Sequence, residues 1–297
     1  MEGKKILILG ASGMLGHTLF YDLLTNRNFD VKATTRSLSE VQDYFPPIML
    51  KRVVEGVDAS KIETVRKAIS KFLPHVVINC IGIIKQLPIS NDPLTVITLN
   101  ALFPHQLAAV CKEAGCRLIH VSTDCVFDGS RGSYTEEDKL SAEDLYGISK
   151  YMGEVKYAHT LTIRTSIIGH ELSSNFSLIE WFLSQSGGVK GFTNAIYTGF
   201  PTIEISRIIA EYVIPYEDMS GLYQVSSNPI SKYDLLKLVS KVYNKDIEII
   251  PYDGYSDNKS LVSDKFRKKT GYNPPSWEEL VTNMYNNFKQ FGYKRSL

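Results

Sequence analysis

Short apolar runs recur through the first half of the chain, and most are followed by apolar residues at helical spacing. Ile6-Leu7-Ile8-Leu9 is the first, with Leu15, Leu19 and Leu23 behind it at four-residue steps, so the pattern predicts a buried strand over 4–9 and then a helix. The strand pattern repeats at 31–35, 53–57, 76–80, 117–121 and 161–164. Between these, Ser60-x-x-Glu63 reads as a capping box opening a helix to about residue 73, and Pro93 opens a long helix that runs to Ala114 and stops at Gly115. Six strands alternating with helices imply an α/β chain built on a doubly wound parallel sheet. Beyond residue 165 the elements shorten: helices to about 185, from 202 to about 215, over 233–243 and over 277–288, and strands over 221–225 and 247–250. The expected organisation is a Rossmann domain over 1–165 and a smaller α/β substrate-binding domain over 166–297. The second domain would act as a lid on the sheet's carboxyl edge, with a segment near 200–215 returning to the first.

Composition narrows the partners. Thirty-three basic and 32 acidic residues leave a net charge of +1, which argues against nucleic acid or an anionic membrane as the main partner. The apolar runs are strand-length, short of the roughly 18 residues a membrane span requires. Met1-Glu2-Gly3 leads straight into the first strand without an apolar leader, so export is not expected. Cys80, Cys111, Cys116 and Cys125 lack C-x-x-C spacing, which points to reduced thiols in a cytoplasmic compartment and to no metal.

Candidate chemistry lies at the strand ends. Gly10-Ala11-Ser12-Gly13-Met14-Leu15-Gly16 is G-x-x-G-x-x-G at a strand-to-helix turn, where glycines let backbone approach a pyrophosphate held by the helix start. The second strand ends in Thr35-Arg36-Ser37, with no acidic residue where an acceptor for a ribose 2′-hydroxyl is expected. A guanidinium there can pair with a 2′-phosphate, so NADP is the expected cofactor and NADPH is expected to be preferred over NADH. The run 117–121 ends in Ser122-Thr123-Asp124, and Tyr146 and Lys150 follow four residues apart, on one helix face. An ammonium so close is expected to pull the tyrosine below its ordinary pKa of about 10. The same spacing recurs at Tyr233/Lys237, Tyr255/Lys259 and Tyr285/Lys289, but only the Tyr146 pair follows a buried strand ending in hydroxyls.

Together these motifs resemble the extended short-chain dehydrogenase/reductase family and, within it, the dTDP-4-dehydrorhamnose reductase branch. The resemblance rests on G-A-S-G-M-L-G, V-S-T-D-C-V-F-D-G, Y-G-I-S-K, I-R-T-S, Asn175-Phe176, Pro201-Thr202 and Ser263-Asp264-Lys265-Phe266-Arg267. It implies Thr123, Tyr146 and Lys150 as the catalytic set. For the dinucleotide it implies Gly10, Gly13, Gly16, Asp58 at the adenine, and Gly82; the other residues expected to contact the dinucleotide are Ser12, Met14, Leu15, Thr35, Arg36, Ser37, Ala59, Cys80, Ile81, Asn100, Val121, Tyr146, Lys150, Thr165 and Ser166. For the substrate the expected residues are Lys85, Asp124, Cys125, Asn175, Lys190 and Arg267. Cys125 and Ile167 stand where the rhamnose-forming enzymes typically carry tyrosine and tryptophan, so the resemblance carries the chemistry further than the sugar.

The implied activity is NADPH-dependent reduction of the 4-keto group of a nucleotide-activated 6-deoxysugar, either dTDP-4-dehydrorhamnose or a UDP-N-acetyl-4-keto-6-deoxyhexose, for polysaccharide precursors. The alternatives are an epimerase using the same three residues and a dinucleotide-binding regulatory subunit, because the methionine adenosyltransferase regulatory subunit resembles the same branch. The expected partner is the nucleotide sugar, with the oligomeric state left open, a homodimer included.

Overall fold

The computed structural model describes residues 3–293; Met1, Glu2 and the last four positions of the expected 166–297 domain lie outside the described residues. Among the described residues twelve strands form in chain order: β1 (Lys4–Leu9), β2 (Phe29–Thr34), β3 (Val53–Val54), β4 (Val76–Asn79), β5 (Arg117–Thr123), β6 (Thr160–Thr165), β7 (Ile167–Ile168), β8 (Val189–Tyr197), β9 (Phe200–Pro201), β10 (Gly221–Gln224), β11 (Ile230–Ser231) and β12 (Ile249–Asn258). Seven of them make one parallel sheet in the order β10-β6-β5-β4-β1-β2-β3. This is the doubly wound Rossmann arrangement, and its order reverses between β1 and β4.

Side-chain alternation along β1 divides the core. Ile6 and Ile8 pack on one face with Leu19, Phe20, Ile205 and Ile209, whereas Leu7 and Leu9 pack on the other with Val65, Phe103 and Leu107. Each such side chain, fully withdrawn from water, contributes roughly 1.5–3 kcal/mol. Covering both faces is why every residue of β4 and β6 is buried rather than every second one.

Several expectations change. The seventh strand, β10, comes from beyond residue 165 and pairs with β6. The Thr202–Ile208 helix, in the segment that the sequence reading already directed back to the first domain, packs on the Met14–Thr25 helix, with Thr18 and Thr202 hydroxyls 3.1 Å apart and Ser206 donating to Asp22 at 2.6 Å. The capping box does not form: Asp58 takes both the Ser60 amide and hydroxyl, at 2.9 and 2.8 Å, and the helix starts at Ile62. The helix from Pro93 is π-helical over Ile97–Leu102, because Pro104 has no N–H for the preceding turn. That helix, Pro93–Glu113, is also long and apolar enough to cross a membrane, which the apolar runs did not suggest; half of the stretch is buried, with Phe103, Leu107 and Val110 in the core.

Away from the main sheet, β8 forms the centre of a three-stranded sheet, β11-β8-β12, covered by the Leu178–Ser184, Lys232–Tyr243 and Trp277–Phe291 helices. The pattern at 247–250 foresaw only the start of β12, and β8 was not foreseen. Past β12 the chain is tied to the loop that follows β5: Asn258 N–H donates to Gly129 O (2.8 Å), Tyr134 N–H to Ser260 O (2.9 Å) and Val262 N–H to Tyr134 O (2.8 Å).

Candidate active site

Pleating decides which hydroxyl at the end of β5 faces the carboxyl edge. Ser122 points inward and donates to Glu154 at 2.9 Å. Thr123 points the other way: its Oγ1 donates to Asp124 Oδ1 (3.2 Å) and accepts the Cys125 amide (3.1 Å), starting a tight turn over Asp124–Val126. The Leu145–Met152 helix is capped by Asp144, which accepts the Gly147 amide at 2.9 Å. A Cβ on Gly147 would lie 2.3 Å from Cys125 O, so only glycine lets this helix press on the turn. The contact sets the Tyr146 phenol beside Thr123 and Cys125.

Lys150, one helical turn on, donates to Val121 O at 2.8 Å and is buried. Gly82 faces Lys150 and Asn100. Asn100 is buried and holds the Ile83 backbone at both polar atoms (2.8 and 3.0 Å) while donating to Ser149 at 3.3 Å, so its role here is to clamp the loop after β4 onto the helix. Below Lys150, Arg164 and Glu154 form a buried bidentate pair at 2.8 and 2.7 Å, part of the support beneath the strand ends.

The expected lowering of Tyr146 is overturned. Burial, the largest influence, pushes the phenol above its ordinary value, with Cys125, Asp124 and Asp144 acting in the same sense and Thr123 opposing. The neighbouring ammonium is turned toward Val121 O, and burial brings Lys150 itself down to about 8 against the pull of Glu154 and Cys80. Tyr146 therefore holds its proton at neutral pH. Burial also raises Asp124, and it takes the Cys80 and Cys125 thiols up to about 12.

Around the turn after β1 the backbone is cramped. A Cβ on Gly16 would lie 1.9 Å from Gly10 O, and Gly10 itself has φ +91°. The Met14–Thr25 helix begins with no side-chain cap and no acidic residue in its first turn, which leaves its amides and positive dipole end for an anion and fits a dinucleotide pyrophosphate. Leu15 and Ala59 point into the core, so any ligand contact they make is through backbone.

One carboxylate that the sequence reading did not place here, Glu40, reaches this turn from the Leu38–Glu40 3-10 helix. Its Oε2 accepts from Thr35 Oγ1 (2.6 Å) and Ser12 Oγ (3.2 Å), and its Oε1 accepts from Arg36 Nε (3.0 Å) and Nη2 (2.9 Å). An acidic group thus occupies the corner that looked free of one, and Arg36 is paired with it. Ser37 is directed to Ser39, at 2.8 Å between hydroxyls.

The expected substrate residues divide. Lys85 sits at the mouth, 5.5 Å above the Tyr146 ring and 2.8 Å from Asp144. Asp124 and Cys125 line the turn beside Tyr146. Arg267 donates to Ser226 O at 3.2 Å, and its Nε is buried with no partner among the described residues. Lys190 is exposed on β8, 4.2 Å from the Tyr252 ring, and Asn175 is exposed in the loop before the Leu178–Ser184 helix; no described hydrogen bond ties either to Thr123, Tyr146 or Lys150. Thr165 donates to Ser166 O at 3.3 Å.

Tyr197, at the end of the unforeseen β8, was missed. Among the described residues its buried hydroxyl has no hydrogen-bond partner of good geometry; it lies beside Ser166, near Asp124 and Cys125. Of the other tyrosine–lysine pairs, Lys237 and Lys289 lie over the rings of Tyr233 and Tyr285 at 5.2 and 4.5 Å, whereas Lys259 pairs with Asp257 close enough for its charge to act on Asp124 and Cys125.

Comparison with known proteins follows this geometry. The profile of the RmlD substrate binding domain family matches residues 4–290. The chain is 26% identical to the dTDP-4-dehydrorhamnose reductase of Aggregatibacter actinomycetemcomitans, over 94% of this chain and 98% of that protein. It is also 26% identical to methionine adenosyltransferase 2 subunit beta of Danio rerio, over 81% of this chain and 74% of that protein. A crystal structure of dTDP-4-dehydrorhamnose reductase from Bacillus anthracis, in complex with NADP, is similar with a TM-score of 0.77 at 20% identity, covering 95% of this chain and 99% of that one.

Proposed function

The chain belongs to the RmlD substrate binding domain family, and from that premise we propose that it is an NADPH-dependent reductase of the 4-keto group of a nucleotide-activated 6-deoxysugar, of the extended short-chain dehydrogenase/reductase type. The observation that carries this reading is the meeting of Thr123, a protonated Tyr146 and Lys150 at the carboxyl end of β5, beside the glycine turn after β1.

When bound, the reduced dinucleotide supplies a hydride to the ketone carbon. Tyr146 gives its proton to the ketone oxygen as general acid, and Thr123 donates a hydrogen bond to the same oxygen as charge develops there. A phenol raised by burial keeps its proton until an alkoxide, a stronger base, forms beside it. Lys150 would hold the nicotinamide ribose hydroxyls from its anchor on Val121 O, and Lys85, 5.5 Å from the Tyr146 ring centre, stands at the mouth of the site. Gly10, Gly13 and the first turn of the Met14–Thr25 helix hold the pyrophosphate, and Asp58 the adenine side.

The nucleotide sugar enters between Lys85 and the strap after β12. The unspent donor of Arg267 suits its diphosphate, and Tyr197, Asp124 and Cys125 line the sugar. Residues 3–165, together with β10 and the Thr202–Ile208 helix, form the dinucleotide domain; the β11-β8-β12 layer is the substrate lid. Four free cysteines support the cytoplasm as the compartment. The substrate is dTDP-4-dehydrorhamnose or a UDP-N-acetyl-4-keto-6-deoxyhexose, with Cys125 beside Tyr146 where it would meet the sugar.

The test is a panel of dTDP-, UDP- and GDP-4-keto-6-deoxysugars generated in situ by dehydratases and followed by NADPH absorbance. Turnover without net NADPH consumption identifies an epimerase instead. A second reading, a regulatory subunit, is supported by the similarity to methionine adenosyltransferase 2 subunit beta; a stoichiometric protein partner with no turnover on the whole panel identifies that.

A further inference from the structure

Four donors at the adenosine corner converge on a single carboxylate. Thr35 follows β2 directly and Ser12 lies inside the glycine turn, so their hydroxyls mark where a ribose leaving that turn must pass. Both bond to Glu40 Oε2, at 2.6 and 3.2 Å, while Arg36 grips Oε1 through two nitrogens at 3.0 and 2.9 Å. The turn that presents Glu40 is itself fixed: Ser37 caps it by accepting the Ser39 amide (3.3 Å), and Glu55 accepts the Leu38 amide (2.8 Å). The Glu40 side chain is 25% exposed and that of Arg36 is 73% exposed, so the carboxylate is the anchored member and the guanidinium the movable one.

We infer that Glu40 sets the choice between the two nicotinamide dinucleotides, in opposition to Arg36; this rests on the reading of the glycine turn as the dinucleotide site. A ribose 2′-hydroxyl donates to the Glu40 carboxylate and leaves Thr35, Ser12 and Arg36 in place. A 2′-phosphate must take those donors away from Glu40 and then lie against its charge, with only Arg36 to attract it. The two residues pull in opposite directions, so the chain accepts NADH alongside NADPH instead of excluding it. Removing the charge of Glu40 at constant size frees Arg36 for phosphate.

The experiment is a fluorescence titration of NADPH and NADH, at one fixed ionic strength, into the full-length wild type, Glu40→Gln and Arg36→Ala, with a thermal melt to show that each variant is folded. The expected results are a wild-type Kd ratio within about tenfold, a shift of about tenfold toward NADPH in Glu40→Gln, and a shift toward NADH in Arg36→Ala. Should the glutamine variant melt early, Glu40→Asp serves in its place: the shortened carboxylate withdraws from the ribose and the expected shift keeps its direction. Binding of both dinucleotides with a ratio that neither Glu40 variant moves by more than twofold overturns the role of Glu40 and leaves the dinucleotide site standing. Failure of folded wild type to bind either one overturns the site, and the inference with it.

Discussion

Two corners of one sheet edge, three strands and about 14 Å apart by ordinary strand spacing, handle charge in opposite ways. At the end of β5, Thr123 and Lys150 are buried and Tyr146 is half-buried. Burial is the largest influence on both Tyr146 and Lys150, so each moves toward its neutral form. At the end of β2, Arg36 lies in solvent and pairs with Glu40. Exposed pairs of this kind are worth about 0–1 kcal/mol, so a ligand can re-pair them at little cost. The first corner is built to hold a proton in place, the second to exchange partners.

The largest effect expected is at the buried corner. Tyr146→Phe should lower kcat by about two to four decades with little change in NADPH affinity, since it removes a proton donor and leaves the dinucleotide contacts. A comparable loss of affinity in the titration would make the phenol a binding group and erase the contrast. Next in size is Gly16→Ala, whose Cβ would collide with Gly10 O at 1.9 Å. Dinucleotide Kd should rise by roughly tenfold or more, with Tm falling by several degrees, because the clash must open the turn; unchanged Kd would show that the turn does not cradle the ligand.

The pH dependence of Lys150 carries two opposite signs. Its charged form is the active one, so kcat/KM should fall above about pH 8, where the buried lysine loses its proton. For stability, the folded lysine titrates near 8 and the unfolded one near 10.5, so between those values the unfolded state binds more protons and stability rises with pH. Compared by urea midpoint, Lys150→Met should be ahead of wild type below pH 8 and lose that lead between pH 8 and 10.5. A lead that is constant over this range would mean that Lys150 is not titrating where burial places it.

The smallest effect belongs to Cys125. Its thiol is pushed up to about 12, so at pH 7 it is a poor nucleophile and iodoacetamide should react slowly, faster as the pH rises. Cys125→Ser should keep kcat within about fivefold; a dead serine variant would make the thiol part of the chemistry.

Local pattern carried much of this protein. Apolar runs with glycine or hydroxyl ends placed β1, β2, β4, β5 and β6, because parallel strands covered on both faces leave a continuous signature. The four-residue step from Tyr146 to Lys150 and the glycine turn were legible for the same reason: each is set by one short segment. β8 was not, since Val189–Tyr197 mixes glycine, asparagine and lysine and becomes a strand only between β11 and β12. Tyr197 was lost with it.

What the chain determined alone, then, is which residues share a segment and how the segment winds, because φ/ψ preferences and side-chain periodicity act over a few residues. What only the tertiary structure decided is how much water each charge keeps and which distant group it meets. The pKa of Tyr146 reversed its expected direction because burial depends on every element packed around the end of β5. Glu40 lies four residues after Arg36, a spacing visible in the chain, but its approach to Thr35 and Ser12 depends on a turn fixed by Glu55 and Ser37.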